Sequence, residues 1–384
     1  MKKVIIIPDS FKGTISAKRI CKILREQVKK YFPECKVVTI PVADGGEGSV
    51  DCFLEALGGR KEKAQVHGPY MESMIVEYGI LSDGTAVVET ASCAGLPLVE
   101  GRMDPRATTT YGIGELVLAA VQKGACRVIV GLGGSCTNDG GCGMAAALGV
   151  RFYDREGAAF VPTGGTLNRI AKIDASRREK LLEQTELLAM CDITNPLLGP
   201  EGATYVFGPQ KGADETMVRE LEEGMTHYAR LLEQTGEVRD ICGLSGGGAA
   251  GGLGAGMAGL LGATLAPGIQ IVLDTVRFDT LAEHADMILT GEGKLDSQSV
   301  RGKVISGISR RGRELGVPVV AIVGGIDREA LPDLYRCGLT AAFSINQLPE
   351  DFSVSREKSE QNLETEAENL MRLLAAVRCN RSAG

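Results

Sequence analysis

Apolar runs and helical periodicities alternate in a regular way at both ends of the chain and lose that regularity in the middle. Val4 to Ile7 is a continuous apolar run, the pattern of a strand buried on both faces of a parallel sheet. Beyond the loop from Pro8 to Ser16, the residues Ile20, Ile23, Leu24, Val28 and Tyr31 fall at helical spacing. Val37 to Ile40 predicts a second strand, followed by Asp44-Gly45-Gly46-Glu47-Gly48 and a short helix carrying Val50, Phe53, Leu54 and Leu57. This is the βαβα grammar of a doubly wound sheet. It returns after Asp286 with strands at 287–290, 317–323 and 341–345 and helices at 300–315 and 329–335. A final helix is predicted over 355–377, ahead of a frayed tail.

The texture between these ends is different. Val76 to Ile80 and Ala86 to Glu89 read as an antiparallel pair turning through Ser82-Asp83-Gly84. A helix at 112–122 leads to the strand Val128–Val130, and longer irregular segments follow. The expected fold is therefore α/β with two domains. One is a Rossmann-like, doubly wound domain built from both chain ends (1–65 and 285–384). The other is an inserted mixed α/β domain with Gly-rich loops (66–284), and the active site is expected in the cleft between them. A sequential split into two domains is the alternative. The chain's 384 residues exceed one typical hydrophobic core, which agrees with either.

Composition sharpens this picture in one respect. Glycine is in excess, at 51 residues, and it clusters beside Asp, Glu, Lys, Ser and Thr, which marks functional loops rather than a linker. The net charge of −7 argues against a general nucleic-acid binder, which would carry a basic surface. Eleven cysteines without a C-x-x-C pair suggest reduced thiols and a reducing compartment. The run Val4–Ile7 is too short for a signal peptide, and no run approaches the ~20 apolar residues of a membrane span. A cytoplasmic protein with small-molecule partners, and neither nucleic acid nor membrane among them, is expected.

Seven segments carry candidate chemistry: Pro8-Asp9-Ser10-Phe11-Lys12-Gly13, 43–48, 133–141, Cys191-Asp192-Ile193-Thr194-Asn195-Pro196, Gly208-Pro209-Gln210-Lys211-Gly212, 245–256 and 290–297. Glycines ahead of a helix let the backbone approach a ligand and aim successive amides at phosphate oxygens. Gly133, Gly134 and Ser135, then Gly248, Gly251 and Gly252, and then Gly291 and Gly293 with Lys294 are the candidate nucleotide-binding residues. The segment 245–256, with seven glycines in twelve positions before a helix, is the strongest cradle by pattern. Lys12 and Lys211 would supply fixed positive charge in catalysis, and Lys303 is a further lysine beside glycine. Glu292 and Asp296 are candidate oxygen ligands for Mg2+. Asp9, Ser10, Asp44, Gly45, Asn138, Asp139 and Asn195 are candidate substrate-binding residues. Asp192 ends the apolar strand 187–191 ahead of Pro196, a place that suits a general base or an Mg2+ ligand.

Each loop also has a plain reading. An Asp-Gly or Gly-Gly pair is more often a turn than a phosphate clamp, Asp44 and Glu47 are suited to cap the helix near Ser49, and Asp214 reads as a helix cap. No P-loop, protein-kinase or hydrolase-elbow motif is present, and His67, His227 and His284 are isolated. Gly254-Ala255-Gly256-Met257-Ala258-Gly259 matches a dinucleotide fingerprint by count, but no strand is predicted before it.

In these same segments the sequence resembles the type I glycerate kinase family over nearly its whole length. Pro8-Asp9-Ser-Phe-Lys-Gly, Pro41-Val-Ala-Asp-Gly-Gly-Glu-Gly, Gly133-Gly-Ser-Cys-Thr-Asn-Asp-Gly-Gly and Cys191-Asp-Ile-Thr-Asn-Pro carry the resemblance. Phe207-Gly-Pro-Gln-Lys-Gly-Ala, Gly248-Ala-Ala-Gly-Gly-Leu-Gly and Thr290-Gly-Glu-Gly-Lys-Leu-Asp-Ser-Gln-Ser continue it in the family's order. Gly247 and Ile305 are small departures that remove no charged or hydroxyl group. The resemblance implies ATP- and Mg2+-dependent phosphorylation of D-glycerate, with 2-phosphoglycerate favoured over 3-phosphoglycerate. A kinase of another hydroxy acid or polyol, a non-catalytic phosphometabolite sensor and an NAD-dependent dehydrogenase are the competing expectations.

Overall fold

The computed structural model describes every residue except 44, 179, 236–237, 239, 298, 300–303, 347, 349–350 and 383–384. Asp44 and Lys303, both singled out by the sequence, thus lie outside the described residues. The chain divides into two compact units, one of Met1–Ala43 with Gly268–Gly384 and one of Asp44–Pro267.

The chain opens with β1 (Lys3–Ile6), α1 (Ala17–Tyr31) and β2 (Lys36–Thr39), and α2 (Ser49–Leu57) begins the second unit. That unit continues through β3 (Gly59–His67), β4 (Ser73–Leu81), β5 (Ala86–Glu89), α3 (Ala91–Ala94), α4 (Tyr111–Gln122), β6 (Arg127–Gly131) and α5 (Cys142–Ala147). The short strands β7 (Arg151–Tyr153), β8 (Ala159–Phe160) and β9 (Lys172–Asp174) come next, then β10 (Glu186–Met190), α6 (Ala203–Phe207), α7 (Glu215–Glu233), α8 (Ala249–Leu261) and β11 (Thr264–Ala266). The first unit resumes with α9 (Gly268–Thr275), α10 (Phe278–Ala282), β12 (Met287–Thr290), β13 (Lys294–Leu295) and α11 (Val304–Leu315). It closes with β14 (Val319–Val323), β15 (Gly325–Ile326), α12 (Leu331–Cys337), β16 (Leu339–Ser344), α13 (Phe352–Glu357) and α14 (Ser359–Ser382).

Among the described residues the first unit holds a five-stranded sheet in the order β2-β1-β12-β14-β16, parallel throughout. Both faces are covered, which is why its strands read as unbroken apolar runs. Val4, Ile6, Leu289 and Ile322 pack with Ile20, Ile23 and Leu24 of α1 and with Leu363, Ala367 and Leu370 of α14. On the other face α11 lies so close that a Cβ on Gly312 would come 2.3 Å from Val319 Cγ2. Ser16 starts α1 by accepting the Arg19 amide at 3.3 Å. The order of the five strands is the doubly wound 2-1-3-4-5 arrangement, whose switch point lies between β1 and β12.

The second unit is built on a six-stranded mixed sheet in the order β3-β4-β5-β6-β10-β11. β5, β6, β10 and β11 run parallel, while β3, β4 and β5 are joined antiparallel, with Ile80 opposite Ala86 as the hairpin pattern predicts. Its core combines Tyr78, Val88, Val130 and Ala189 of the sheet with Ile113, Leu116 and Val117 of α4. The division falls after Ala43 and after Pro267, where the sequence pattern places it after 65 and 284. The reason is packing: Val50 of α2 sits against Gly79 of β4, and β3 is a strand of this second sheet. The antiparallel β8-β7-β9 sheet was not foreseen, its strands being too short to show a periodicity. Among the described residues no helix is long and apolar enough to cross a membrane.

Candidate functional site

In the first unit the switch point brings two of the glycine-rich loops together. The ladder of β1 and β12 runs on past the strands, with the Ile7 amide on the Leu289 carbonyl and the Asp9 amide on the Gly291 carbonyl, both at 2.8 Å. Thr290 closes the junction by donating its hydroxyl to the Ile7 carbonyl at 2.9 Å. Asp9 then accepts the Ser10 amide at 2.6 Å and turns the chain into a tight loop, where Phe11 bridges to Ile15 and Gly13 takes φ +76°. Lys12 and Lys294 stand exposed on these loops. Gly291 is needed by the fold itself: a Cβ there would come 2.2 Å from the Ile322 carbonyl oxygen. The position on Gly293 is roomier, with its nearest neighbours 3.4 Å away at Phe11 and Lys12.

Behind this loop lie the two expected metal ligands. Glu292 is buried and receives the Ser299 hydroxyl, whose oxygen in turn accepts the Asp296 amide at 3.1 Å. Ser299 thus ties the Glu292 carboxylate to the backbone of Asp296. Among the described residues no group of three or more His, Cys, Asp or Glu is placed to hold a metal ion. A pair of carboxylates fits the chemistry of Mg2+, which commonly takes one or two from the protein and completes its shell with phosphates and water.

In the second unit the loops gather at the carboxyl ends of β5, β6 and β10. Gly45 (φ +82°) lies on β10, where its Cβ would be 3.1 Å from Met190 Cβ, and its carbonyl accepts the Gly133 amide at 3.1 Å. Asp192, half-buried, follows β10 two residues beyond Met190. Asn195 donates its side-chain amide to the Glu201 carbonyl at 2.8 Å and takes the Gly248 amide on its own carbonyl at 3.1 Å. Gly134 (φ +75°) turns the 133–141 loop, and the Ser135 hydroxyl, itself buried, bonds Thr137 Oγ1 at 2.9 Å.

Two candidate substrate-binding residues, Asp139 and Asn138, and the candidate catalytic Lys211 are buried. Asp139 is fully buried, and its carboxylate takes the Thr110 amide (2.8 Å) and hydroxyl (2.9 Å) and the Gly141 amide (3.1 Å). Burial pushes its carboxyl above the ordinary range, against those donors. Asp139 holds the loop rather than lining an open surface. Asn138 is equally buried, giving its Nδ2 to Thr204 Oγ1 at 3.3 Å, while its Oδ1 has no partner among the described residues. Lys211, expected to supply fixed positive charge in catalysis, is 2% exposed and donates to the Thr137 carbonyl at 2.6 Å. Burial lowers its ammonium to about 8, with Cys136 and Asp139 drawing it back upward.

The segment 245–256 also differs from the cradle expected of it. Ala250, Gly251 and Gly252 all take left-handed angles inside α8, and what approaches Gly251 is backbone. A Cβ on Gly251 would come 2.0 Å from the Thr137 carbonyl, and one on Gly248 would come 2.2 Å from that of Pro196. The glycines here let loops of the protein pack on one another. Asp214 does cap α7, accepting the Thr216 and Met217 amides. At α2 the N-cap is Gly48 and Glu47 is exposed, while the other expected cap, Asp44, lies outside the described residues. Glu89, at the end of β5, takes the Val50 amide at 2.7 Å, and the loop reading missed it.

With these loops placed, their likeness to known proteins is decisive. The model of the glycerate kinase family matches residues 4–375. The chain belongs to the glycerate kinase family. It is 42% identical to a glycerate kinase of Bacillus cereus over 370 residues, covering 96% of this chain and 97% of the relative. It is 40% identical to a glycerate 2-kinase of Escherichia coli K12 over 345 residues, covering 89% and 90%. A solved structure from Salmonella typhimurium LT2, described as a glycerate kinase 2, superposes with a TM-score of 0.86 at 37% identity, covering 98% of this chain and 99% of that one. The protein is accordingly an enzyme of the glycerate kinase kind, which removes the sensor and dehydrogenase readings.

Proposed function

We propose that the protein transfers the γ-phosphoryl group of ATP to the 2-hydroxyl of D-glycerate in a Mg2+-dependent reaction, giving 2-phosphoglycerate and ADP. The observation that carries this reading is the Asp9–Gly291 hydrogen bond, which sets two glycine-rich loops side by side at the switch point of a parallel sheet. Open sheets of this kind bind ligands at that point. Phosphoryl transfer asks for positioning and charge stabilisation more than for covalent catalysis. Gly291, Gly293, Lys294 and Lys12 are suited to the phosphates. Glu292 and Asp296 would hold Mg2+, which when bound neutralises charge on the phosphate oxygens. Asp192, fixed just beyond the end of β10, would take the proton from the attacking hydroxyl, and the Gly45 loop beside the same strand would hold the hydroxy acid. The choice of the 2-position rests on the name of the Escherichia coli relative.

Phosphorus NMR of the product formed from D-glycerate, ATP and Mg2+ tests activity and position together. A single 2-phosphoglycerate resonance is expected. A 3-phosphoglycerate resonance would overturn the regiochemistry, and turnover of a different hydroxy acid with none of glycerate would overturn the substrate.

A further inference from the structure

We propose that Glu89 is a positioning residue for the hydroxy-acid substrate, its carboxylate clamping the Gly45–Gly48 loop onto the ends of β6 and β10. The inference rests on the reading that this loop holds glycerate.

Glu89 is the last residue of β5 and lies opposite Gly131 of β6 in the parallel register. Ala86, Val87 and Val88 before it are fully buried, so the strand fixes where the carboxylate emerges. It emerges at the start of α2. Its Oε1 accepts the Val50 amide at 2.7 Å, and the same carboxylate takes the Gly48 amide. The N-cap position itself offers no side chain, because Gly48 occupies it with φ +91°. An anion suits the orphan amides and the positive end of a helix, and here it is borrowed from a neighbouring strand.

The other side of the loop shows what the clamp achieves. The Gly45 carbonyl accepts the Gly133 amide at 3.1 Å, and a Cβ on Gly131 would come 2.3 Å from that same carbonyl oxygen. Gly45 also rests on Met190 at the end of β10, the strand that leads into Asp192. The loop is thus pinned at Gly45 by β6 and β10 and at Gly48–Val50 by Glu89, and the residues between have little freedom. Burial works against the clamp, pushing the Glu89 carboxyl above its ordinary range, and the charges of Asp51 and Glu47 push the same way. The two amides oppose that push. Glu89 acts through the backbone it holds, so it need not touch the substrate.

Steady-state kinetics of Glu89→Ala and Glu89→Gln in the full-length enzyme, with D-glycerate and ATP varied separately, test this. Glu89→Ala is expected to raise KM for glycerate about 10-fold with kcat within about 3-fold, the signature of lost uniform binding. KM for ATP should move less than about 2-fold. Glu89→Gln keeps the side chain's volume and one acceptor but turns an amide N–H toward Gly48, so an intermediate rise is expected, and it serves if the alanine variant fails to fold. A lowered melting temperature with unchanged KM in both variants would reduce Glu89 to a helix cap and overturn the proposal. A kcat loss of about 10²–10⁴-fold at constant KM in Glu89→Gln would overturn it in favour of a proton-transfer role. Gly45→Ala separates the two levels. If it raises KM for glycerate while the Glu89 variants do not, only the clamp fails. If it too leaves KM unchanged, the loop does not bind the substrate and both readings fall.

Discussion

The amide of Asp9 donates to the carbonyl of Gly291 at 2.8 Å, joining a residue near the start of the chain to one in its last third. The bond extends the β1–β12 ladder into the loops, so Ser10–Gly13 and Glu292–Lys294 leave the sheet as neighbours. The glycines at this junction differ in what they tolerate. Gly291→Ala would drive a methyl to 2.2 Å from the Ile322 carbonyl and is expected to cost about 1–3 kcal/mol in urea unfolding. Gly293→Ala meets only ordinary contacts at 3.4 Å and should change stability by less than about 0.5 kcal/mol. A rise in KM for ATP in that second variant would therefore report on phosphate approach and not on folding.

Asp192→Asn keeps the volume and removes the charge. As general base it should account for a fall in kcat of about 10²–10⁴-fold, whereas loss of a turn cap would cost roughly 1 kcal/mol of stability with normal turnover. Single-turnover rates and a melting curve on the same preparation distinguish the two outcomes.

Lys211 makes a prediction about pH. Its ammonium is lowered by burial to about 8, and an unfolded lysine titrates near ~10.4. Across that window the unfolded chain binds a proton that the native state has already lost, so this residue's contribution to stability rises with pH from about 8 to about 10.4. The unfolding free energy of wild type minus that of Lys211→Met, measured from pH 7.5 to 10, should climb. A flat difference would mean the native ammonium stays protonated. If the charge also serves catalysis, wild-type kcat/KM falls above about pH 8 and the variant lacks that limb.

Glu292→Gln leaves the Ser299 contact an acceptor but removes the negative charge. The Mg2+ concentration needed for half-maximal activity should rise by about 10-fold or more, since a second-shell loss alone costs about 10–100-fold in metal affinity. An unchanged Mg2+ titration would take Glu292 out of the metal site.

The parallel sheet was legible because a strand buried on both faces must be apolar at consecutive positions, as Val4–Ile7 and Val319–Val323 are. The loops were legible as loops, but their glycines were ambiguous. A missing Cβ serves a ligand or another stretch of backbone equally well, and only the fold reveals that Gly251 faces Thr137. The burial of Lys211 was illegible for a related reason. A lysine beside glycines looks exposed until a carbonyl 74 residues away claims it. Glu89 carried a usable signal, an acid ending an apolar strand, which is the same feature that singled out Asp192. It was passed over because no glycine adjoins it.

The interrupted first unit has a consequence for how the protein is made. β1 and β2 leave the ribosome ahead of the rest of their sheet, and β12, the neighbour of β1 on its far side, follows some 250 residues after β2, a delay of roughly 12–50 s at about 5–20 residues per second. The second unit is contiguous, so its strands are all synthesised before β12 emerges. Throughout that interval Val4–Ile7 presents an apolar strand with one edge unpaired, the kind of segment that associates with other nascent chains. Lys2, Lys3 and Lys36, placed at the ends of these two strands, are suited to act as charged gatekeepers until translation delivers the missing neighbour.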